Sequence, residues 1–195
     1  MAKNILIVGA GGIGSWLAFY LYTLDEFKQL AAANITFADD DTVDIDNLPY
    51  QNFELQDVTD LKTSSLSARY GFGAKTSRIT KETELNGYDC IVCAVDNTAF
   101  RKLLFKTAEK KDFYWLDLRS EGRAIAIFAK HKNNTIDTLM ATIPNNIKDG
   151  SCQLEYEKKA GIVQNGNKII AAIGSQYILN WIRNEVNPPQ FIHKF

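Results

Sequence analysis

Three consecutive carboxylates, Asp39-Asp40-Asp41, run into Thr42-Val43 and then Asn47-Leu48 and Gln51. Acids this close repel one another, so they are either solvated or held near a cation or hydroxyl donors. A solvated acidic loop is the ordinary reading of such a run. Upstream, Gly9, Gly11, Gly12 and Gly14 form a Gly-x-Gly-Gly-x-Gly turn. Such a turn allows close backbone approach to phosphates and close helix–strand packing. Downstream stand a cation, Lys62, and a polar pair, Asp96-Asn97. The chemistry open to these types is nucleotide binding: Asp39 sits where an acid accepts hydrogen bonds from ribose hydroxyls. The turn is compatible with NAD, FAD or ATP. Taken alone, Lys62 reads as a solvated helix lysine and Asp96 as a helix cap.

Positioning these groups requires strands and helices in alternation. Asn4 to Val8 is a short apolar run that suits a buried parallel strand, and Ser15 to Thr23 has helical spacing through Trp16, Leu17, Tyr20 and Leu24. Asn34 to Ala38 predicts a second strand, closing a right-handed β-α-β unit. Thr59-Asp60 is placed to cap a short helix carrying Lys62 to Tyr70, and Thr76 to Thr80 suits an edge strand. Cys90 to Val95 predicts a buried strand, 98–111 a helix, and Tyr114 to Leu118 a strand. Arg123 to Ala129 and Thr135 to Leu139 suggest antiparallel strands, with a polar loop from Pro144 to Asn167 and an apolar helix from Lys168 to Arg183 ahead of a Pro188-Pro189 tail. The expected fold is α/β, a Rossmann-like doubly wound sheet, mostly parallel with antiparallel strands towards the C-terminal part, in a single domain over 1–195.

Composition narrows the function. A net charge of −1 offers no basic field for nucleic acid. No apolar run approaches the roughly 20 residues needed to span a bilayer, and no signal-peptide pattern opens the sequence. Cys90, Cys93 and Cys152 are a sparse, odd set that fits a reducing cytoplasm. Cys90 and Cys93 have the spacing of a metal pair, but residues three apart on a strand face opposite sides, so buried structural roles and no zinc are expected. Cys152 lies in the polar stretch Asp149-Gly150-Ser151-Cys152. His131 and His193 show no partner pattern.

Gly9 to Ser15, Asp39-x-Asp41-Thr42-Val43, Asn47-Leu48-x-x-Gln51, Lys62, and Asp96-Asn97 followed by Arg101 together resemble the ThiF/MoeB/ubiquitin-activating enzyme superfamily. Gly161-Ile162-Val163 and Ile173-Gly174-Ser175-Gln176 are similar to that family's C-terminal helix region. The resemblance implies ATP-dependent adenylation of a C-terminal carboxylate. The partner implied is a small β-grasp, ubiquitin-like or sulfur-carrier protein ending in Gly-Gly, and a homodimer is the implied assembly. ATP would lie over Gly9, Gly11, Gly12 and Gly14, with Asp41 and Asn97 in its site. Asp39 would hold the ribose, Asn47 and Gln51 would line the phosphate site, Lys62 would contact the phosphates and Asp96 would hold Mg²⁺. Cys152 resembles the loop cysteine that some members use to bond the activated protein. The family's Asn-Leu-x-Arg-Gln reads Asn47-Leu48-Pro49-Tyr50-Gln51 here. Tyr50 thus brings one hydrogen-bond donor and no charge. The family's arginine upstream of the first strand has no counterpart in the sequence, which leaves Arg69, Arg101, Arg119 or a partner as candidates to make up the charge. Two alternatives fit subsets of these residues: a non-catalytic nucleotide-binding member, and an NAD- or FAD-dependent oxidoreductase.

Overall fold

The structure, a computed structural model, describes residues 2–121, 123–143 and 164–195. In chain order the elements are β1 (Lys3–Val8), α1 (Gly12–Glu26), β2 (Ala33–Ala38), α2 (Lys62–Tyr70), β3 (Gly73–Lys75), β4 (Cys90–Cys93) and α3 (Thr98–Ala108). They continue with β5 (Tyr114–Glu121), β6 (Ala124–Ala129), α4 (Ile136–Ala141), α5 (Gly166–Ile182) and β7 (Gln190–Lys194). One sheet contains all seven strands in the order β3-β2-β1-β4-β5-β6-β7. The pairings from β3 to β5 are parallel, while β5–β6 and β6–β7 are antiparallel. This is the Rossmann-like sheet the sequence suggests, and strand order reverses between β1 and β4.

The central strands are apolar from Ile5 to Val8 and from Cys90 to Cys93 because both of their faces are covered there. Ile5, Ile7, Cys90 and Val92 join the core under α1, α2 and α5. Leu6, Val8, Ile91 and Cys93 join the core under α3 and α4. Cys90 and Cys93 therefore point to opposite sides of β4, as the period of two requires. Burial raises both thiols, that of Cys93 to about 12, so neither presents a thiolate at neutral pH.

Four local expectations are corrected. Thr135 to Leu139 is not a strand: Thr135 caps α4, its side chain accepting from Thr138 N at 3.3 Å. Leu139 and Ile143 then pack into the core beside α3. The outer neighbour of β6, opposite β5, is β7, in the segment after Pro188-Pro189 that reads as a tail. Proline is tolerated at the start of an edge strand, and the Pro189 carbonyl accepts from Ala129 N at 2.9 Å. The other edge strand is β3 at 73–75 rather than 76–80, in register with Thr36 to Ala38. Gly73 lies so close to β2 that a Cβ there would stand 2.8 Å from Thr36 Oγ1. Leu61, not Thr59 or Asp60, is the first flanking residue of α2, and it makes no side-chain cap.

Candidate functional site

A cavity of about 750 Å³ opens outside the C-terminal ends of β1, β2 and β4. This is the crevice where open α/β sheets bind ligands, at the switch in strand order. Its floor is the glycine turn. Gly9 has φ +103°, and a Cβ on it would stand 2.6 Å from the Ala94 carbonyl. Gly14 lets α1 pack against the turn, since a Cβ there would lie 1.9 Å from Gly9 O. Gly11 has nothing within 4 Å of its missing Cβ, so it leaves the cavity open over the N-terminus of α1. The buried Ser15 hydroxyl donates to Gly11 O at 2.7 Å and accepts from Asn52 N at 2.9 Å. That pair of bonds ties the segment after Gln51 to the glycine turn.

The three acids at the end of β2 are individually partnered. Asp39 accepts from Ala10 N at 2.6 Å and from Asp41 N at 2.9 Å. Burial raises its pKa, with those two backbone donors and Lys62 opposing the shift. Asp40 pairs with Arg78 at 3.1 Å and Asp41 with Lys62 at 3.0 Å. A bridge between Thr42 and Leu61, with Lys62 N donating to Asp41 O at 3.0 Å, brings the start of α2 to the acidic segment. The Lys62 side chain is only 8% exposed, whereas that of Arg78 is 63% exposed. Lys62 is thus the cation whose direction the fold determines. The acidic run is a partnered wall of the cavity, not a free loop.

The remaining candidates come from two connections. Asn47 closes a short 3-10 turn, Ile45–Asn47, where its side chain accepts from Asp44 N at 3.2 Å, and its carbonyl holds Tyr50 N and Gln51 N. Among the described residues, Gln51 Oε1 is buried without a hydrogen-bond partner. At the end of β4, Asn97 rather than Asp96 caps α3, accepting from Phe100 N at 3.1 Å. Asp96 is exposed and lines the cavity. Gly9, Gly11, Gly12, Asp39, Asp41, Asn47, Gln51, Lys62, Asp96 and Asn97 all border this cavity. Gly14 lies beneath the turn as packing, and Cys152 lies outside the described residues.

Charge is supplied differently from the sequence reading. Arg69 is committed to Asp57 and lies near Glu54. Arg101 and Arg119 both bind the buried Asp117, at 2.8 and 2.7 Å. None of these three lines the cavity, while Arg78 and Tyr50 do. Arg78 carried no sequence signal, because 76–80 reads as an edge strand and only the early end of β3 turns it back over the site. Asn167, from the first turn of α5, also reaches the cavity, although by sequence it closes a polar loop with no motif to mark it.

A glycine turn, an acid at the end of β2 and a buried lysine thus meet at the switch point of an open α/β sheet. The sequence profile of the ThiF family matches residues 1–195, and the chain belongs to that family. Solved structures share the fold. PaaA superposes with a TM-score of 0.68 at 16% identity, over 99% of this chain and 61% of its own. MccB of E. coli with ATP gives 0.67 at 16%, over 99% and 63%. MccB of E. coli with AMPCPP and MccA gives 0.68 at 19%, over 100% and 63%. This chain therefore spans about three-fifths of the length of those proteins. No curated protein matches its sequence. Among the described residues, no helix is long and apolar enough to cross a membrane.

Proposed function

We propose that this protein is an ATP-dependent adenylyltransferase that activates the C-terminal carboxylate of a small ubiquitin-like or sulfur-carrier protein ending in Gly-Gly. The observation that carries this reading is the convergence of Asp39, Asn47, Gln51, Lys62 and Asp96 on one cavity above the glycine turn. Membership of the ThiF family supports it, as does the likeness to a fold crystallised with ATP in MccB. Asp39 accepts from the ribose hydroxyls, and the N-terminus of α1 offers its N–H groups to the phosphates. A carboxylate oxygen of the partner attacks the α-phosphorus, the bond to the β-phosphate breaks, and pyrophosphate leaves. Lys62 stabilises the charge that builds on the phosphoryl oxygens. Asp96 fits a Mg²⁺ site, since that ion usually takes one or two carboxylates and completes its shell with phosphate oxygens and water. Bound there, Mg²⁺ would neutralise phosphate charge. A cytoplasmic homodimer completes the proposal.

The test is ATP–pyrophosphate exchange in the presence of candidate carrier proteins. Exchange is expected only with the cognate partner, and Asp96→Ala is expected to reduce it by about a hundredfold or more. Exchange with no carrier would sink the reading, as would an Asp96→Ala protein of undiminished rate.

Transfer to Cys152 forms a second stage of the same proposal. Its thiolate attacks the acyl carbonyl, the bond to AMP breaks, and a thioester to the carrier remains. Cys152→Ser is expected to keep the exchange reaction and to lose a thiol-labile conjugate with the carrier on a non-reducing gel.

One observation favours a binding-only alternative. Among the described residues the cavity's cations are Lys62 and Arg78, each already neutralised by an acid, and Tyr50 adds no charge. ATP binding without exchange for any carrier would establish that reading instead.

A further inference from the structure

Helices α1 and α5 lie side by side over one face of the sheet, from Gly12 against Asn167 at one end to Gln29 and Arg183, bonded at 2.7 Å, just beyond the other. From Gly12 to Leu24 and from Ile169 to Ile182 neither helix carries a charged side chain. Every other described helix does: Lys62 and Arg69 on α2, Lys102 and Lys106 on α3, Asp137 on α4. A helix that is uncharged on all sides is normally buried on all sides, whereas a surface helix turns charges to water, as α3 does with Lys106. Only the inner side of this pair is buried, where Ile13, Leu17, Leu21, Ile170 and Ile178 join the core. On the outer side Phe19 and Gln176 are exposed, and Trp16, Tyr20, Ala172 and Ile173 are half-buried. Trp16, Phe19 and Tyr20 form a row of edge-packed rings with centroids 6.3 and 5.4 Å apart. Interface cores are enriched in aromatic rings and depleted of charge.

We propose that the outer face of α1 and α5 is the surface on which a second copy of this chain docks, an inference that rests on the homodimer of the proposed function and gives it an interface. An uncharged face offers a charged partner nothing to pair with. Among the described helices, its match is the same face of another copy. A two-fold axis sets α1 and α5 against their twins, so that one patch is used twice and no charge is buried. Lys168 is the first charge met at the end nearest the glycine turn, with its ammonium 4.7 Å from the centre of the Trp16 ring. It supplies the polar rim that such interfaces have.

Sedimentation equilibrium of the full chain, with ATP–pyrophosphate exchange measured on the same samples, tests the assignment. The unaltered protein is expected to be a dimer at micromolar concentration. Phe19→Lys and Gln176→Lys each place two unpaired ammonium groups in the interface, and each is expected to raise the dimer dissociation constant by about a hundredfold or more. Both positions are exposed in the single chain, so both variants are expected to melt as cooperatively as the unaltered protein. Lys106→Glu, on the solvent face of α3, is expected to leave the dimer unchanged. Dimers of unaltered strength in both α1 and α5 variants overturn the proposal, as does equal weakening by Lys106→Glu. A monomeric unaltered protein overturns it too, and loss of carrier binding in Phe19→Lys then assigns the face to the carrier. Carrier-dependent exchange by a monomer leaves the adenylation reading standing, whereas an intact dimer without exchange removes that reading and keeps this interface.

Discussion

Lys62→Met is expected to lower carrier-dependent ATP–pyrophosphate exchange by about two to three orders of magnitude, the usual cost of removing a preorganised charge-stabilising group. The fold already directs this amine. Its backbone N–H is anchored on the Asp41 carbonyl, its side chain is 8% exposed, and its ammonium lies 3.0 Å from Asp41 Oδ2 at the cavity wall. Methionine keeps the buried stem and removes only the charge. The Asp41 side chain is 57% exposed, so it rehydrates when its partner is lost and the change in stability should stay within about 1 kcal/mol. The loss should fall chiefly on kcat, with a smaller rise in KM for ATP, because charge on the phosphoryl oxygens grows towards the transition state. A variant retaining exchange within about threefold of wild type would remove Lys62 from the catalytic role, since one oxyanion-stabilising group is normally worth far more. A fall confined to KM would make it a binding residue only.

Asp117→Ala is expected to be strongly destabilising, at about 3–5 kcal/mol. Asp117 sits on β5 with no exposed side-chain surface, between the Arg101 and Arg119 guanidinium groups. Deleting the carboxylate removes the buried charge that Arg101, whose side chain is only 11% exposed, is paired with at 2.8 Å. For a chain of this size that corresponds to a fall in Tm of roughly 10 °C. Adding Arg101→Leu should restore part of the loss, because replacing both members of a buried ion pair by apolar groups costs less than removing one of them. A single variant melting within about 2 °C of wild type, where each kcal/mol is worth about that much, would refute the argument. The pair also bears on the site. Arg101 donates to the Val95 carbonyl at 2.6 Å, holding the connection that carries Asp96. Exchange should therefore decline in Asp117→Ala even well below its melting temperature. Arg101 and Asp117 act as positioning residues, and the recovery in the double variant should be larger for stability than for exchange.

The same two residues show where reading the chain in one dimension stops. Glycines, acids, Lys62 and Asp96 were all legible because their types and order carry the signal, and because a strand–turn–helix places its own glycines without help from distant residues. The parallel sheet was equally legible, since strands buried on both faces have to be apolar throughout. Arg101 and Arg119 could only be proposed as replacement charges until the fold set both against Asp117. The α4 and β7 misreadings have the same origin. Short segments satisfy both periods, and what decides between them is which neighbour is there to pack or pair.

The sequence by itself therefore determined the family, the doubly wound sheet and the set of groups available for nucleotide chemistry, because those depend on residue type and local spacing. Tertiary structure alone decided which charges face the cavity. It set the exposed Arg78 against Asp40 at the cavity's edge, paired each of the three acids with a separate partner, and brought Asn167 against Gly12 across more than a hundred and fifty residues of chain. Such contacts arise from helix packing and strand order, which no local spacing encodes.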